Sequence, residues 1–309
     1  MNKLHIFAPA TVANVSCGFD AMGFALENLG DEMVITKTAE KRVVISKIEG
    51  ADLPFEPRKN SAAVVAQKML EDNGFPFGVS IELYKKYKPG SGLGSSAASS
   101  AGAAFAINRF LGNKYEKLEL VKYAMLGEDT ASGAQIADNV GASLYGGFVL
   151  IKSYSPLEIV PIPTPSELYV TVIHPQIEIK TEDARAILPE SVPLKTAIAQ
   201  WANVGALISG LHTADYELIG RSLVDNIVEP ARKSLIPHFD ALRDAAVTTG
   251  ALGAGISGSG PSVFALSKGK DMAEKVSEAF RSVYEKTDID FQIYVSSLSG
   301  KGVRVIKEE

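Results

Sequence analysis

The hydrophobic positions in the first half of the chain follow strand and helix periods in turn. Alternating or β-branched runs at "KLHIF", "EMVITKT", "KRVVISKI" and "GVSIELYKKY" predict strands. The stretch "NSAAVVAQKMLEDNG" has apolar residues at helical spacing, with Asn60 or Ser61 as a cap and Gly74 as a stop. Helical patterns also begin at Ser95 and at about Lys117, and "ASLYGGFVLIKSY" predicts a strand interrupted by two glycines.

A proline-rich stretch separates the two halves of the chain. The segment "SPLEIVPIPTPSE" places four prolines within eleven residues. Proline removes backbone donors and resists both helices and central strands. We therefore predict a linker here, with an N-terminal domain over residues 1–160 and a C-terminal domain over residues 161–309.

The second half has an order of elements that indicates a fold. "LYVTVIH" predicts a buried strand, and helices are expected over 194–211, 215–228 and 237–249. "GALGAGIS" and "PSVFALS" are short apolar runs joined across "GSG", which predicts a hairpin. An amphipathic helix, "DMAEKVSEAFRSVYEKT", and a last strand, "DFQIYVSSL", follow. The order strand, helices, hairpin, helix, strand is that of a ferredoxin-like layer, so the fold class is α+β.

Composition narrows the class of protein. The chain has 309 residues, of which 46% are hydrophobic and 22% charged, with a net charge of −5. This charge argues against a nucleic-acid partner, and no apolar run is long enough to predict a membrane partner. The N-terminus lacks the apolar core of a signal peptide, and the single cysteine, Cys17, leaves no intramolecular disulfide. We therefore expect a cytoplasmic two-domain enzyme.

The stretch "KPGSGLGSSAASSAGAAFAIN" follows a predicted strand and opens a predicted helix. Glycines 90, 92 and 94 allow positive φ and close approach of a ligand to the backbone amides. The helix terminus adds unpaired N–H groups and a positive dipole end, which together suit phosphate. The pattern is not a Walker A loop, because Gly94 is followed by Ser95 and Ser96, so a metal or a distant lysine must supply positive charge. Composition alone fits equally well a closely packed helix beside a flexible loop.

Two further segments favour the phosphate site over a merely structural role for the glycine stretch. In "PATVANVSCGFDAMGFAL", Asn14 and Asp20 lie in a turn-rich stretch, and "GAGISGSGPSVFALS" is the hairpin described above. With the glycine stretch, they resemble the GHMP kinases, and among these the homoserine kinases. The residues that carry this resemblance are "PATVANVSCGFDAMGFAL", "PGSGLGSSAAS", "EDTASGAQIADNVGASLYGGFVL", "TEDARAILPESVPL", "EPARKSLIPHF" and "GISGSGPSVFAL".

The resemblance implies a two-domain fold, with an N-terminal domain like domain 2 of ribosomal protein S5 and a ferredoxin-like C-terminal domain. It also implies transfer of a phosphoryl group from ATP, with Mg²⁺, to the side-chain hydroxyl of L-homoserine in threonine biosynthesis. Members of this family often form homodimers, so the resemblance allows a homodimer here.

The resemblance assigns roles around the nucleotide. The segment that matches the phosphate loop consists of Pro89, Gly90, Ser91, Gly92, Leu93, Gly94, Ser95, Ser96, Ala97, Ala98 and Ser99. Ser96 and Glu128 match the magnesium-binding pair, and a hydroxyl with a carboxylate suits this hard cation. Ser95 stays as an alternative to Ser96.

The resemblance also assigns residues to a zwitterionic substrate. Arginine suits its carboxylate because the guanidinium can donate two parallel hydrogen bonds. The matching residues are Arg185 and Arg232 for the carboxylate, Thr181 nearby, Asp20 for the ammonium, Asn14 for the part near the hydroxyl, and Gly258 in the hairpin turn.

Asn139 matches the position where mevalonate kinase has an aspartate that could act as a base. A neutral amide accepts no proton at this pH, so catalysis would rest on positioning and charge stabilisation by Asn139, Ser96 and Glu128. Asp138 is the alternative base. The chain departs from the homoserine kinase pattern at Ile136, where a histidine is usual, so the polar contact of that histidine is either absent or supplied by Gln135.

Two other functions stay open at this point. One is a GHMP kinase for another small hydroxylated acid or amine. The other is a non-catalytic regulator that binds a nucleotide.

Overall fold

Two β-sheets lie between two layers of helices. The structure, a computed structural model, describes residues 2–298 and 300–309, with the side chains of residues 132 and 181 outside that description. The strands are β1 (Lys3–Ala13), β2 (Met22–Thr38), β3 (Val43–Glu49), β4 (Gly78–Tyr84), β5 (Phe148–Tyr154), β6 (Leu157–Ile162), β7 (Leu168–Pro175), β8 (Gly253–Ile256), β9 (Val263–Lys268), β10 (Phe291–Ser297) and β11 (Arg304–Glu308). The helices are α1 (Ser61–Asp72), α2 (Ser95–Phe110), α3 (Lys117–Ser132), α4 (Asp138–Tyr145), α5 (Thr181–Ala186), α6 (Leu194–Thr213), α7 (Tyr216–Ser222), α8 (Glu229–Arg232), α9 (Phe239–Thr249) and α10 (Lys270–Tyr284).

The first sheet carries helices α1 to α4 on one face. Its strand order is β11-β1-β2-β4-β3, and β5 pairs with both β2 and β6. Helix α1 begins after Asn60, whose side-chain oxygen accepts hydrogen bonds from the backbone N–H groups of Ala62 and Ala63. Helix α2 is buried on almost every side, and this burial explains its run of Gly, Ala and Ser.

The second sheet has the strand order β10-β7-β9-β8. This is the ferredoxin-like order. The first strand of this four-stranded unit, β7, lies between its fourth strand, β10, and its third strand, β9. The predicted hairpin of β8 and β9 is present, with Ile256 opposite Val263. Helices α9 and α10 cover one face of this sheet. The predicted α+β class and the ferredoxin-like layer are therefore confirmed.

A hydrophobic core fills the space between the two sheets. Phe24 on β2 packs against Phe148 on β5, with ring centroids 4.9 Å apart. The same ring meets Phe264 on β9 edge-on at 5.9 Å. Leu207 on α6 and Ile219 on α7 are fully buried in this core. This packing sets the two halves of the chain face to face, with the cleft described below between them.

Two predicted elements are wrong in part, the helix over 215–228 and the strand over 142–154. The helix ends at Ser222 as α7, and residues 223–228 are not helical. Residues 142–145 belong to helix α4 and not to a strand, and the strand begins only at Phe148, after two glycines with positive φ. A short apolar run fits either element, and here its packing on the first sheet decides. The predicted linker contains β6, which pairs with β5 alone; an edge strand of this kind tolerates Pro161 because one side needs no ladder donors.

The last residues of the chain return to the first sheet. Strand β11 pairs antiparallel with β1, and the backbone N–H groups of Asn2 and Lys3 donate to the carbonyl of Glu309. Within the described residues, no helix has both the length and the apolar character required to cross a bilayer.

Candidate active site

A cleft of about 770 Å³ lies between the two halves of the molecule. The glycine stretch forms one wall, and residues from α3, α4, α5 and the β8–β9 turn form the others. The predicted site residues that line it are Asn14, Asp20, Pro89, Gly90, Gly92, Gly94, Ser95, Ser96, Ser99, Glu128, Asn139, Arg185, Arg232 and Gly258. Ser91, Leu93, Ala97 and Ala98 are buried behind the loop. The Thr181 side chain lies outside the described residues.

The glycine stretch has the backbone that its sequence requires. Gly90, Gly92 and Gly94 have φ values of 75°, 79° and 64°, all in the left-handed region. Gly94 is the N-cap of α2 and provides no side-chain cap. The first amides of this sixteen-residue helix therefore face the cleft without a capping side chain. They form a site for an anion, as the helix dipole also favours.

The glycine stretch is held against the β8–β9 turn by hydrogen bonds to its own backbone carbonyls. The Ser257 hydroxyl donates to the Gly92 carbonyl at 2.6 Å, and the Ser262 N–H donates to the Ser91 carbonyl at 3.3 Å. A Cβ atom at Gly92 would lie 2.5 Å from the carbonyl oxygen of Ser257. The glycine is thus required by this contact between the two halves as well as by its φ.

A buried ion pair supports the start of α2. Lys85 and Asp31 bond to each other with both side chains 1% exposed. The Lys85 ammonium also donates to the Ser95 carbonyl at 2.9 Å and to the Ser99 hydroxyl at 3.1 Å. Burial raises the pKa of Asp31, and Lys85 opposes that shift. Sequence reasoning missed Lys85, although the alternation along "VSIELYK" places it on the same inward face as Ile81 and Leu83.

Ser96 and Glu128 lie together at the entrance to α2. Their side chains share a hydrogen bond, which lowers the pKa of Glu128, whereas burial acts more strongly and raises it to about 7. Gly127 allows α3 to pack closely on α2, because a Cβ atom at this position would lie 2.1 Å from the Ser100 hydroxyl oxygen on α2. The structure thus brings Ser96 to the carboxylate, whereas the Ser95 carbonyl accepts from Lys85. Among the described residues, no group of three or more His, Cys, Asp or Glu side chains forms a metal cluster.

The turn between β1 and β2 holds Asn14 and Asp20 in left-handed backbone conformations, with φ values of 73° and 54°. Asparagine and aspartate tolerate this region better than most residues. The Asn14 amide donates to the Gly258 carbonyl at 2.7 Å and accepts from the Asp20 N–H at 3.1 Å. Asn14 therefore joins this turn to the β8–β9 turn.

Two arginines approach one aromatic ring. The guanidinium carbons of Arg185 and Arg232 lie 5.6 and 5.0 Å from the ring centroid of Phe19. The Arg185 guanidinium donates two hydrogen bonds of 3.0 Å to the carboxylate of Asp20. Arg232 is 2% exposed and donates to the carbonyls of Ala184 and Gly258, at 2.8 and 3.1 Å. Burial, and next the charge of Arg185, lower the pKa of Arg232 to about 10.

Asn139 is oriented by two neighbours. Its side-chain oxygen accepts a hydrogen bond of 2.7 Å from the Thr11 hydroxyl, and its amide nitrogen donates to Asp138 at 3.2 Å. An amide has two lone pairs and two N–H groups, so one of each stays available to the cleft. Asp138 is 2% exposed. Burial, and next the charge of Asp20, raise its pKa to about 7, while the hydrogen bond from the Asn139 backbone opposes the shift.

Ile136 and Gln135, at the departure from the usual pattern, lie in different surroundings. Ile136 lines the cleft, whereas Gln135 bonds to Asp129 at 3.2 Å on the exposed side. Nearby, Tyr154 on β5 makes two polar contacts with the backbone. Its hydroxyl accepts from the Ala137 N–H at 3.2 Å and donates to the Asp20 carbonyl at 3.1 Å.

Comparisons with known proteins agree with this geometry. A family model described as the GHMP kinases N terminal domain matches residues 60–147, and one described as GHMP kinases C terminal matches residues 207–286. The homoserine kinase of Chlorobium phaeobacteroides is 46% identical, over 99% of this chain and 100% of that protein. The homoserine kinase of Pyrococcus abyssi is 39% identical, over 98% and 99%. The crystal structure of homoserine kinase from Cytophaga hutchinsonii is 49% identical, covers 99% of this chain and 98% of that one, and has a TM-score of 0.95.

The buried pair beneath α2 gives a stability prediction. Asp31→Asn leaves the Lys85 ammonium buried without its countercharge, so the free energy of unfolding should fall by about 3–5 kcal/mol. Glu32→Gln, one residue along the same strand, removes an exposed pair with Lys86 and should cost about 0–1 kcal/mol. Urea denaturation measures both. A double variant, Asp31→Asn with Lys85→Met, should lose less than Asp31→Asn alone; an equal or larger loss would contradict this account.

Glu128 gives a pH prediction. Its folded-state pKa of about 7 lies above the ordinary value of 4.5, so its contribution to stability is complete below pH 4.5 and is lost as the pH rises to about 7. Glu128→Gln avoids this loss. Without divalent metal, the variant should gain up to about 3 kcal/mol on the wild type between pH 5 and pH 8. Asp129→Asn, the exposed neighbour on α3, is the matched control. A constant difference between Glu128→Gln and wild type across this range would refute the account.

Proposed function

Because this chain belongs to the GHMP kinase family, we propose that it catalyses the phosphorylation of L-homoserine by ATP. In this reaction the side-chain hydroxyl oxygen of homoserine bonds to the γ-phosphorus of ATP, and the bond from that phosphorus to the bridging oxygen breaks. The products are O-phospho-L-homoserine and ADP. The homoserine kinases reported above, which match over nearly their whole length, support this choice of acceptor. A cytoplasmic location and a homodimer stay as predictions.

The nucleotide phosphates belong at the start of α2. The amides there have no capping side chain, and positive φ values at the glycines keep side chains out of the loop. The Lys85 ammonium lies beneath this turn, although its pairing with Asp31 neutralises most of its charge. A phosphate at the helix terminus is therefore held by backbone dipoles more than by a lysine.

The donor set beside this loop fits Mg²⁺. Glu128 and Ser96 offer a carboxylate and a hydroxyl, which are hard oxygen ligands, and the remaining ligands would be phosphate oxygens and water. A buried carboxylate with a pKa raised to about 7 is also a group that a dication would stabilise in its charged form. When bound, the ion neutralises charge that develops on the phosphate oxygens.

The observation that carries the choice of substrate is the burial of Arg232. Its guanidinium is 2% exposed, and its two hydrogen bonds in the described structure go to neutral carbonyls. A buried cation of this kind is costly unless an anion approaches it. Arg185 also contacts the Phe19 ring, and Asp20 lies beside Arg185. The cleft thus offers two cations and one anion, which suits the carboxylate and the ammonium of an amino acid.

Asn139 would hold the acceptor hydroxyl. Thr11 and Asp138 fix the amide so that the remaining lone pair of its oxygen can accept a hydrogen bond from the substrate. No proton is taken by the amide; the hydroxyl proton passes to a phosphate oxygen as the new bond forms. A loose transition state leaves little charge on the attacking oxygen until late, so orientation provides most of the rate enhancement.

The test is an acceptor panel with Mg-ATP. Purified protein is incubated with L-homoserine, 4-hydroxybutanoate, mevalonate or galactose, and ADP and the phosphorylated product are measured. We expect release of ADP with L-homoserine and a matching amount of O-phosphohomoserine. Activity on another acceptor, with none on homoserine, would show a different GHMP kinase. Nucleotide binding without turnover on any acceptor would show a regulator.

Arg232→Lys separates carboxylate recognition from general charge. An ammonium cannot reproduce the planar fork of the guanidinium, so KM for homoserine should rise about tenfold or more while KM for ATP changes little. Arg281→Lys, on the exposed face of α10, is the control for the same substitution elsewhere. Equal changes in both KM values would place Arg232 at the nucleotide and not at the acceptor.

Asp138→Asn tests whether a base is needed. The new side chain would keep an oxygen that accepts from Asn139 but would lose the titrating carboxyl whose pKa is about 7. We expect kcat to fall by less than about tenfold, and the decrease of kcat/KM at acidic pH to persist, because Glu128 still titrates. If this acidic decrease vanished and kcat fell strongly, Asp138 would be the base.

A further inference from the structure

The turn between β1 and β2, which carries Asn14 and Asp20, has a strained backbone. Asn14, Val15 and Ser16 have consecutive positive φ values of 73°, 43° and 56°. A β-branched residue such as Val15 rarely adopts this left-handed conformation, and a strained backbone of this kind persists only where the surrounding structure holds it. The contacts that hold the turn therefore decide where Asn14 and Asp20 lie in the cleft.

Gln200 on α6 makes one of these contacts. Its side-chain nitrogen donates to the Cys17 carbonyl, just beyond the strained residues, at 2.9 Å, and to the Asp225 carboxylate at 3.0 Å. Its side-chain oxygen accepts from the backbone N–H of Asn226 at 2.8 Å. Gln200 is buried, and two acceptors face its nitrogen while a donor faces its oxygen, so the orientation of the amide is fixed.

Asp225 continues this network to Arg232. The carboxylate of Asp225 accepts hydrogen bonds from the backbone N–H groups of residues 227, 228 and 229, at 2.9, 3.0 and 2.9 Å. These bonds fix the backbone at the start of α8, a single turn that ends at Arg232. Gln200 therefore ties the backbone that carries Arg232 to the turn between β1 and β2.

This network lies behind the cleft. In the described part of the chain, Gln200, Cys17 and Asp225 do not line the cleft. In the cleft itself, the same two segments meet where the Arg232 guanidinium carbon lies 5.0 Å from the ring centroid of Phe19. The β1–β2 turn and α8 are thus joined on both sides, by Phe19 in the cleft and by Gln200 behind it.

We propose that Gln200 is a positioning residue that sets the separation of Asp20 and Arg232. It does so because its amide bonds to the β1–β2 turn and to the loop before α8 at the same time. The inference rests on the proposed function, in which Asp20 and Arg232 bind the ammonium and the carboxylate of one small molecule. Such a molecule fits both groups only at one separation, and a misplacement of about 1 Å can lower a rate about a hundredfold.

The nucleotide site should not depend on this network. Within the described residues, the hydrogen bonds of the Gln200 side chain go to Cys17, Asp225 and Asn226, and none goes to the glycine stretch. Loss of the Gln200 amide should therefore change the affinity for the acceptor and leave the affinity for ATP almost unchanged.

Gln200→Met tests the positioning role, because methionine has a similar length but no hydrogen-bond donor. KM for L-homoserine should rise about tenfold, while KM for Mg-ATP should change less than about twofold. Asn203→Leu is the matched control. Asn203, on the same helix, donates to the Val224 carbonyl at 3.0 Å, so this variant also removes a bond from α6 to the loop before α8 but leaves the β1–β2 turn untouched. It should lower thermal stability and leave both KM values unchanged.

Gln200→Glu provides a pH readout. The new carboxyl faces the Cys17 carbonyl and the Asp225 carboxylate, so it can donate one hydrogen bond when it is protonated and none when it is ionised. Burial beside a like charge raises the pKa of a carboxyl. Relative to the wild type, KM for L-homoserine should therefore rise less at about pH 6 than at about pH 8. The Cys17 thiol, whose pKa burial raises to about 12, stays neutral at both. The corresponding ratio for Gln200→Met should be the same at both pH values.

Three results would overturn the positioning role. The first is an unchanged KM for L-homoserine in folded Gln200→Met. The second is an equal rise of both KM values, or an effect of Asn203→Leu as large as that of Gln200→Met, which would show a general loss of structure. The third is a KM ratio for Gln200→Glu that does not depend on pH. If thermal unfolding shows that Gln200→Met is not folded, Gln200→Glu carries the test alone.

Each of these results can occur while the wild type still phosphorylates L-homoserine, so the proposed function would survive them. Absence of wild-type turnover on L-homoserine would instead refute the proposed function, and with it the role of Gln200.

Discussion

Two glycine-containing turns, one from each half of the chain, touch through their backbones, and the cleft depends on this contact. The Gly92 carbonyl accepts from the Ser257 hydroxyl, and a Cβ atom at Gly92 would lie 2.5 Å from the Ser257 carbonyl oxygen. On one side of the contact lies the anion site at the start of α2. On the other, the Gly258 carbonyl holds both Asn14 and Arg232. The two turns approach this closely because Gly92 has no side chain at the point of contact.

The site also concentrates charge that burial makes expensive. Glu128 and Asp138 have pKa values raised to about 7, and Arg232 has one lowered to about 10, all mainly by burial. Each shift favours a neutral group in the folded protein, and each is relieved when an opposite charge binds. Buried ionisable groups of this kind lower the free energy of unfolding of the protein without ligands, and they favour the binding of ions of opposite charge. The Asp20–Arg185 pair is an exception, since it satisfies its charges internally.

Positioning in this site comes from residues that carry no reacting atom. Thr11 and Asp138 orient the amide of Asn139. Phe19 attracts the guanidiniums of both Arg185 and Arg232 through its ring. Because each of these groups acts through a neighbour, its effect should depend on geometry more than on charge. A small displacement of either glycine-containing turn would therefore change the orientation of these side chains before it changed the affinity for a ligand.

The sequence by itself determined the classes of element and the chemistry of the loop. Periodicity predicted the ferredoxin-like layer, because a strand or helix with one buried face has its apolar residues at a regular spacing, whatever it packs against. Positive φ was predictable at glycines 90, 92 and 94, since the residue type alone permits it. The resemblance to GHMP kinases supplied the candidate residues. The alternation that placed Lys85 inward was also visible in the sequence, although its partner Asp31, fifty-four positions away, was not.

Only the tertiary structure decided which groups meet. Residues 142–145 became helical because they pack on the first sheet, and β6 formed in the proline-rich stretch because an edge position tolerates its one proline, Pro161. Asp20 and Arg185 are 165 positions apart, and Thr11 and Asn139 are 128 apart. Local patterns contain no information on such pairs, since they form only when packing of the two sheets closes the chain into one cleft.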